Sequence, residues 1–164
     1  MRGDFLTNAH IVNGLYPVAD AFAGTMTTDY VSVENYNRVG FLVHTGDATA
    51  GTADGVITVL AATAAAGTNA TAIAFQSRVC LSSTTVDTWG AQTSTAAAGL
   101  TMTAVDNAAY WCEVTAADVA AGFAAADFVA LLVTEDTNDP IVAGVTIFLL
   151  DPRYPGAVPI SAIA

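Results

Sequence analysis

The stretch "DFVALLVTEDTNDPIVAGVTIFLL", residues 127–150, contains the strongest fold signal in the chain. Two runs rich in Val, Ile, Leu and Phe flank a polar stretch that ends at Pro140. Short apolar runs bounded by such residues favour β-strands joined by a turn. In the second run, 141–150, apolar residues occupy both alternating faces. We therefore expect this strand to be covered on both sides, by a second sheet or by a neighbouring chain.

Similar short runs recur along the chain, whereas helical periodicity is nearly absent. One helical turn is predicted at 115–122, with Thr115 as the N-cap, Asp118 in the capping-box position and Gly122 at the end. The number and spacing of the runs predict an all-β fold, an antiparallel, jelly-roll-like β-sandwich. The predicted strands are 29–35, 38–45, 55–62, 71–81, 85–90, 100–105, 109–115, 127–135 and 141–150.

The two ends of the chain do not fit the strand pattern. Residues 1–25 scatter apolar side chains among polar ones, and residues 152–164 contain three prolines, which cannot donate to a ladder. We therefore predict an extended N-terminal arm (1–25), a sandwich domain (26–151) and an extended C-terminal tail (152–164). The arm and the tail are expected to lie along a neighbouring chain, because neither can bury its apolar groups alone.

Eight residues of the arm and tail are the predicted partner contacts. Among them, Arg153 and Tyr154 belong to residue types enriched at interface hot spots, and the flanking prolines reduce the entropy lost on docking. Arg153 has an equally weighted alternative, a salt bridge within its own domain. The predicted contact residues are Phe5, Leu6, Ile11, Leu15, Tyr16, Arg153, Tyr154 and Ile160.

Composition excludes several classes of function. The 164-residue chain has fifteen carboxylates, four arginines and no lysine, and its net charge is −11. Such a surface disfavours nucleic acid, which requires clustered cations, and repels an anionic membrane. The longest apolar run has about half of the roughly 20 residues that a membrane helix needs. The N-terminal residues lack a signal-peptide pattern, so we expect synthesis in the cytoplasm, where Cys80 and Cys112 are buried free thiols rather than a disulfide.

Catalytic and cofactor motifs are not found in the sequence. The two histidines, His10 and His44, accompany no nucleophile elbow, and no P-loop, dinucleotide fingerprint or zinc spacing occurs. We predict a protein that is not an enzyme and has no cofactor. Glu135, Asp136 and Asp139 are a set of oxygen donors suited to calcium, although a solvated hairpin turn explains the same residues.

Several short segments follow one another in a suggestive order: "ENYNRVGFLVHTG" (34–46), "GTNATAIAF" (67–75), "DTWG" (87–90), "TAAAGLTMT" (95–103), "ADFVALLVTE" (126–135) and "DPRYPG" (151–156). This series resembles the head decoration, or cement, proteins of tailed bacteriophages. The resemblance extends over nearly the whole chain, from about "LYPVAD" (15–20) onward.

The resemblance implies a jelly-roll-like sandwich that binds the outer surface of an icosahedral capsid and locks its capsomers together. It implies the major capsid protein and sister subunits of a homotrimer as partners, and a location on the virion after synthesis in the host cytoplasm. Two alternatives remain open: a carbohydrate-binding jelly roll on the virion, and a tail or baseplate component of the same fold.

Overall fold

A computed structural model describes residues 5–48, 55–81, 88–103, 106–135 and 140–154. Both helices within these ranges are short, and neither is long and apolar enough to cross a membrane. In chain order, the elements are α1 (Phe5–Asn8), β1 (Ala9–Val18), β2 (Thr25–Thr27), β3 (Val31–Ser32), β4 (Tyr36–Ala48), β5 (Gly55–Ala62), β6 (Thr71–Ile73), β7 (Phe75–Cys80), β8 (Thr93–Thr95), β9 (Leu100–Thr101), β10 (Ala109–Thr115), α2 (Ala116–Gly122), β11 (Phe128–Glu135) and β12 (Ile141–Pro152).

The strands form two antiparallel sheets whose pairings are nested. Sheet A has the order β1-β12-β4-β10-β7-β8, and sheet B has the order β2-β11-β5-β6, with β3 beside β11 and β9 beside β5. The first strand pairs with the last, β2 pairs with β11, β4 with β10 and β5 with β6. Such nesting is what a long hairpin gives when it is rolled into two layers, which is the jelly-roll architecture. The predicted jelly-roll-like sandwich is confirmed.

The core lies between the sheets, and in β10 and β12 it is built by alternation of buried and partly exposed residues along the strand. In β12, every second residue from Ile141 to Leu149 is buried. In β10, Tyr110, Cys112 and Val114 face the same interior. The Tyr110 hydroxyl donates to the carbonyl oxygen of Thr103 at 3.3 Å, so this buried aromatic residue keeps a partner for its polar end.

Several predicted strands are observed with small changes in their ends. The bounds of β5 and β10 coincide with the prediction, and β11 begins one residue later than predicted. The predicted strand 71–81 is instead divided into β6 and β7, because the chain passes from sheet B to sheet A around Ala74. Of the predicted strand 85–90, residues 85–87 lie outside the described ranges and residues 88–90 are not strand.

Other predicted strands are shorter than expected, and two three-residue strands, β2 and β8, were not predicted. The predicted strand 29–35 contains only β3, and 100–105 contains only β9, with residues 104 and 105 outside the described ranges. β8 lies at one edge of sheet A and pairs with β7. Three-residue strands such as β8 have too few positions for an alternating pattern to be recognised.

The N-terminal segment differs from the expected arm. β1 pairs with β12 along one edge of sheet A, so residues 9–18 are part of their own sandwich. Its register is regular only from Ala9 to Asn13, and irregularities follow at Asn13/Leu15 and Leu15/Val18. Gly14, Pro17 and these bulges interrupt the alternation, which explains why the sequence pattern conceals the strand.

The C-terminal boundary lies close to its predicted position. β12 continues through Pro152, which pairs with Tyr36, and the backbone N–H of Arg153 donates to the carbonyl oxygen of Asn35 at 2.9 Å. Asp151 adopts a positive φ of 53° just before this end. The tail residues 155–164 lie outside the described ranges.

The single predicted helical turn is observed as α2. The Thr115 hydroxyl accepts a hydrogen bond from the backbone N–H of Asp118 at 3.1 Å, and the Asp118 carboxylate accepts one from the backbone N–H of Thr115 at 2.9 Å. This reciprocal arrangement is the predicted capping box, with aspartate in the place usually held by Glu or Gln.

Both cysteines are buried free thiols. Cys112 lies on the core face of β10, and burial raises its pKa to about 12 from an ordinary value of 9.0. Desolvation disfavours the thiolate, which is the reactive form.

We expect Cys112 to be inert while the protein is folded. In a Cys80→Ala variant, DTNB at about pH 8 should label the remaining thiol only after unfolding in guanidinium chloride, because the thiolate is disfavoured and the sulfur is inaccessible. Rapid labelling of the folded variant contradicts this expectation.

The raised pKa of Cys112 also predicts a pH dependence of stability. The unfolded thiol ionises near 9.0, whereas the folded one stays protonated to about 12. The stabilisation is fully present below the unfolded pKa, and the free energy of unfolding should decrease as the pH rises through this window. Urea unfolding of Cys80→Ala and of Cys80→Ala/Cys112→Ala isolates the effect, because the tyrosines titrate in both proteins. Equal pH dependences contradict it.

Candidate functional site

The outer face of sheet A, opposite the core, is the leading candidate for a functional surface. On β12 the alternate residues Phe148 and Leu150 are half-buried and Val142 is exposed. Leu42 of β4 and Trp111 of β10 are half-buried on the same face, as the register places them. We expected β12 to be covered on both sides, and within the described residues only the core side faces a second sheet.

Exposed large hydrophobic side chains concentrate at one edge of this sheet. Seven are found among the described residues, and six of them lie on β1, on β12 or within four residues of their ends. Leu81, which follows β7, is the exception. The six residues, here called the edge patch, are Phe5, Ile11, Tyr16, Val18, Val142 and Tyr154.

The edge strand itself lacks the usual protection against pairing. β1 contains no Asp, Glu, Lys or Arg, and the regular part from Ala9 to Asn13 contains no proline or bulge. Natural proteins commonly block exposed edges with charges, prolines or bulges. Only the second half of β1 has such features, namely Pro17 and the two irregularities in register.

An aromatic layer lies on the outer face. The Trp111 ring packs against Phe148, with ring centroids 5.6 Å apart and planes inclined at 49°. Its six-membered ring also lies directly over Gly40, where any added Cβ atom would overlap it. The absence of a side chain at residue 40 therefore creates the space in which the indole sits.

An ion-pair network borders this layer. Arg38 of β4 contacts Glu113 at 3.2 Å and Asp151 at 2.6 Å. The hydrogen bond to Asp151 is the main reason why the pKa of Arg38 is raised above its ordinary value. The Trp111 indole N–H donates to the second oxygen of Glu113 at 3.1 Å. Both oxygens of Glu113 are thus occupied by neighbours on the same face.

A polar hollow of about 190 Å³ lies beside Trp111. Arg78 is an exposed residue of β7 and stands directly opposite Trp111 in the register. The Gln92 side-chain nitrogen donates to the side-chain oxygen of Gln76 at 3.3 Å. The hollow, here called the Arg78 hollow, is lined by Arg38, Gln76, Ser77, Arg78, Gln92, Trp111 and Glu113.

Two larger hollows flank His44 on the same side of the sandwich. One, of about 290 Å³, lies towards β1 and β12 and includes Pro17 and Val142. The other, of about 380 Å³, includes Cys80 and Trp89. The outer face of sheet A is therefore an uneven surface with several recesses, which suits contact with a macromolecule better than enclosure of a small ligand.

The predicted contact residues fall into different environments. Phe5, Ile11, Tyr16 and Tyr154 belong to the edge patch, whereas Leu15 packs against the core. Arg153 is exposed and takes part in neither of the two ion pairs between described residues, so its predicted local salt bridge is not observed. The backbone of Leu6 belongs to α1, and Ile160 lies outside the described residues.

Those residues considered for catalysis or metal binding that the structure describes are not brought together. No group of three or more metal-ligating side chains occurs among the described residues. Glu135 accepts a hydrogen bond from the backbone N–H of Gly24 at 2.7 Å, while Asp136 and Asp139 lie outside the described ranges. His10 and the Tyr36 hydroxyl are 3.3 Å apart, and His44 is exposed on the outer face.

Comparison with known proteins gives little further guidance. No protein-family model and no curated protein matches this chain. Among solved structures, the crystal structure of SPBc2 prophage-derived protein YomS is similar, with 13% sequence identity and a TM-score of 0.47. The match covers 88% of this chain and 94% of that one. A similarity of this size carries no argument about function.

The contact between Trp111 and Gly40 generates a stability prediction. A Gly40→Ala substitution should destabilise the fold by about 1–3 kcal/mol, because the new methyl group displaces the indole from a filled space. Urea unfolding measures this loss. In a Trp111→Ala background the same substitution should be nearly neutral, and an equal loss in both backgrounds contradicts the packing explanation.

Proposed function

We propose that this chain is a virion structural protein that decorates the outside of a phage head and stabilises the junctions between capsomers. The observation that carries the proposal is the edge patch beside the outer face of sheet A. Six large hydrophobic residues are exposed there, next to an edge strand without charges. Concentration of such residues at one site is typical of protein–protein contact surfaces. The resemblance to decoration proteins supports the same conclusion.

The proposed partners are the major capsid protein and sister subunits of a homotrimer, on the outer capsid surface. The edge patch adjoins the outer face and shares Val142 with it, so the two together provide a continuous contact area. A stable protein interface buries about 800 Å² on each partner, which requires more than a single side chain or strand edge. The net charge of −11 is consistent with a protein that binds neither nucleic acid nor an anionic membrane.

The proposed action is binding without catalysis. A protein that binds only the assembled and expanded lattice stabilises that lattice by mass action, in the way that any ligand stabilises the state it prefers. A jelly roll suits this role because its nested strand pairs hold the two surfaces in fixed positions relative to each other. No turnover or cofactor is required.

The carbohydrate-binding alternative needs an aromatic ring whose face is open to a sugar. Trp111 packs against Phe148 and over Gly40, and its indole N–H already donates a hydrogen bond to Glu113. Trp89 is half-buried beside the second hollow near His44. These contacts favour a structural role for Trp111 over a sugar platform.

Cosedimentation with phage heads tests the proposed function. The purified chain should bind mature heads of the phage that encodes it in a saturable manner, and should bind unexpanded heads weakly or not at all, because the lattice contacts differ. The ratio of gel band intensities gives the number of copies bound per capsid protein. Absence of binding to both kinds of head contradicts the proposal and makes a glycan array the next measurement.

A matched pair of substitutions tests the edge patch. Ile11 and Leu81 are exposed to a similar degree, 45% and 40%. The sheet order places β7 four strands from β1, roughly 19 Å away. Ile11→Glu should reduce binding to mature heads at least about tenfold, because it places a charge in the apolar contact. Leu81→Glu should bind like the wild type, and urea unfolding shows whether either variant has lost stability. Equal losses of binding contradict the assignment of the edge patch.

A further inference from the structure

We propose that the Arg78 hollow binds a carboxylate side chain of a protein partner. The inference rests on the function proposed above, in that the partner is the shell protein beneath the decoration protein. It adds a polar anchor on the outer face of sheet A, separate from the apolar edge patch.

The free hydrogen-bonding groups of the hollow are mostly donors. Each oxygen of Glu113 already accepts one hydrogen bond, from Arg38 or from Trp111, and the side-chain oxygen of Gln76 accepts one from Gln92. Within the part of the chain that the structure describes, the Arg78 guanidinium and the amide nitrogen of Gln76 have no hydrogen-bond partner, and the amide oxygen of Gln92 lies beside them. A site rich in donors fits a ligand that only accepts, and an ionised carboxylate is such a ligand.

Charge points to the same ligand. The chain has fifteen carboxylates for four arginines, yet Arg78 takes part in neither ion pair among the described residues. Arg38 is already paired with Glu113 and Asp151, which leaves Arg78 as the guanidinium of the hollow that has no carboxylate partner among the described residues. A guanidinium binds a carboxylate through two parallel hydrogen bonds. Nucleic-acid phosphates offer the same oxygens, but the net charge of −11 repels a polyanion of that size.

The surroundings of Arg78 suit a contact between proteins. Trp111 stands directly opposite Arg78 on the neighbouring strand, and its indole is fixed against Phe148 and over Gly40. Arginine and tryptophan are the residue types most enriched at interface hot spots, and an aromatic neighbour excludes water from a charged pair. The hollow is continuous with the half-buried apolar residues of the outer face, so one partner surface can cover both.

The test measures binding to mature heads over a series of NaCl concentrations with the wild type and three variants. Arg78→Gln removes the anchor and changes the net charge by one unit. Ala117→Glu changes the net charge by the same amount at an exposed position in the first turn of α2, where a carboxylate is tolerated. We expect Arg78→Gln to weaken binding about tenfold and to reduce its dependence on salt, and Ala117→Glu to bind like the wild type. Arg78→Lys keeps the charge but lacks the planar guanidinium, so its affinity for mature heads should lie between those of Arg78→Gln and the wild type.

The outcomes separate this inference from the proposed function. If the wild type binds heads and Arg78→Gln binds equally well, or if Ala117→Glu loses as much, the carboxylate site is overturned while the decoration role stands. If the wild type does not bind heads, both are overturned. Direct binding of the wild type to polygalacturonate, lost in Arg78→Gln while head binding is unchanged, assigns the hollow to an acidic polysaccharide and overturns a protein carboxylate.

Discussion

The fold depends on the simultaneous pairing of β12 with β1 on one side and with β4 on the other. These pairings join residues more than 100 positions apart in the chain, such as Ile147 with Val12 and with Phe41. They close the roll, because the first strand of the chain pairs with the last at one edge of sheet A. Contacts of such long range cost loop-closure entropy before they give any stabilisation, so folding should be slow and cooperative.

The side chains of β12 alternate between the core and the outer face of sheet A. Residues such as Ile147 and Leu149 fill the core, whereas Phe148 and Val142 face outwards. Successive strand residues point to opposite faces, so a surface can change its contacts without disturbing the core. Packing nevertheless restricts one position on the outer face, since a side chain at residue 40 would overlap the Trp111 ring. The residues that fill the core and those that face outwards therefore lie on opposite sides of the strands. At Gly40 the outer face also affects stability, because the Trp111 indole packs against the backbone there.

The sequence predicted best those features that depend on local chemistry. β5 and β10 have unbroken β-rich runs, and the capping box at Thr115 and Asp118 involves residues three positions apart. β1 could not be recognised, because Gly14 and Pro17 interrupt its pattern and its pairing depends on β12 at the far end of the chain. The Arg78 hollow was also missed. Arg78 and Trp111 are separated by more than 30 residues, and only the register of β7 against β10 brings them together.

The distribution of charge favours the outer face of sheet A as the surface for contact with a macromolecule that is itself acidic. Apart from Asp151 of β12, the exposed carboxylates of the described residues lie in the connections between elements, at Asp20, Asp29, Glu34, Asp106 and Asp127. On the outer face, by contrast, Arg38 pairs with both Glu113 and Asp151, and Arg78, which takes part in neither ion pair among the described residues, offsets the second carboxylate. Approach through the loops brings carboxylates against an acidic partner, whereas the charges of Arg38, Arg78, Glu113 and Asp151 on this face sum to zero. For the proposed docking on an acidic partner, repulsion by the loop carboxylates thus favours the orientation in which the outer face of sheet A meets that partner. Because salt screens charges beyond a short distance, this preference acts only in the last stage of approach.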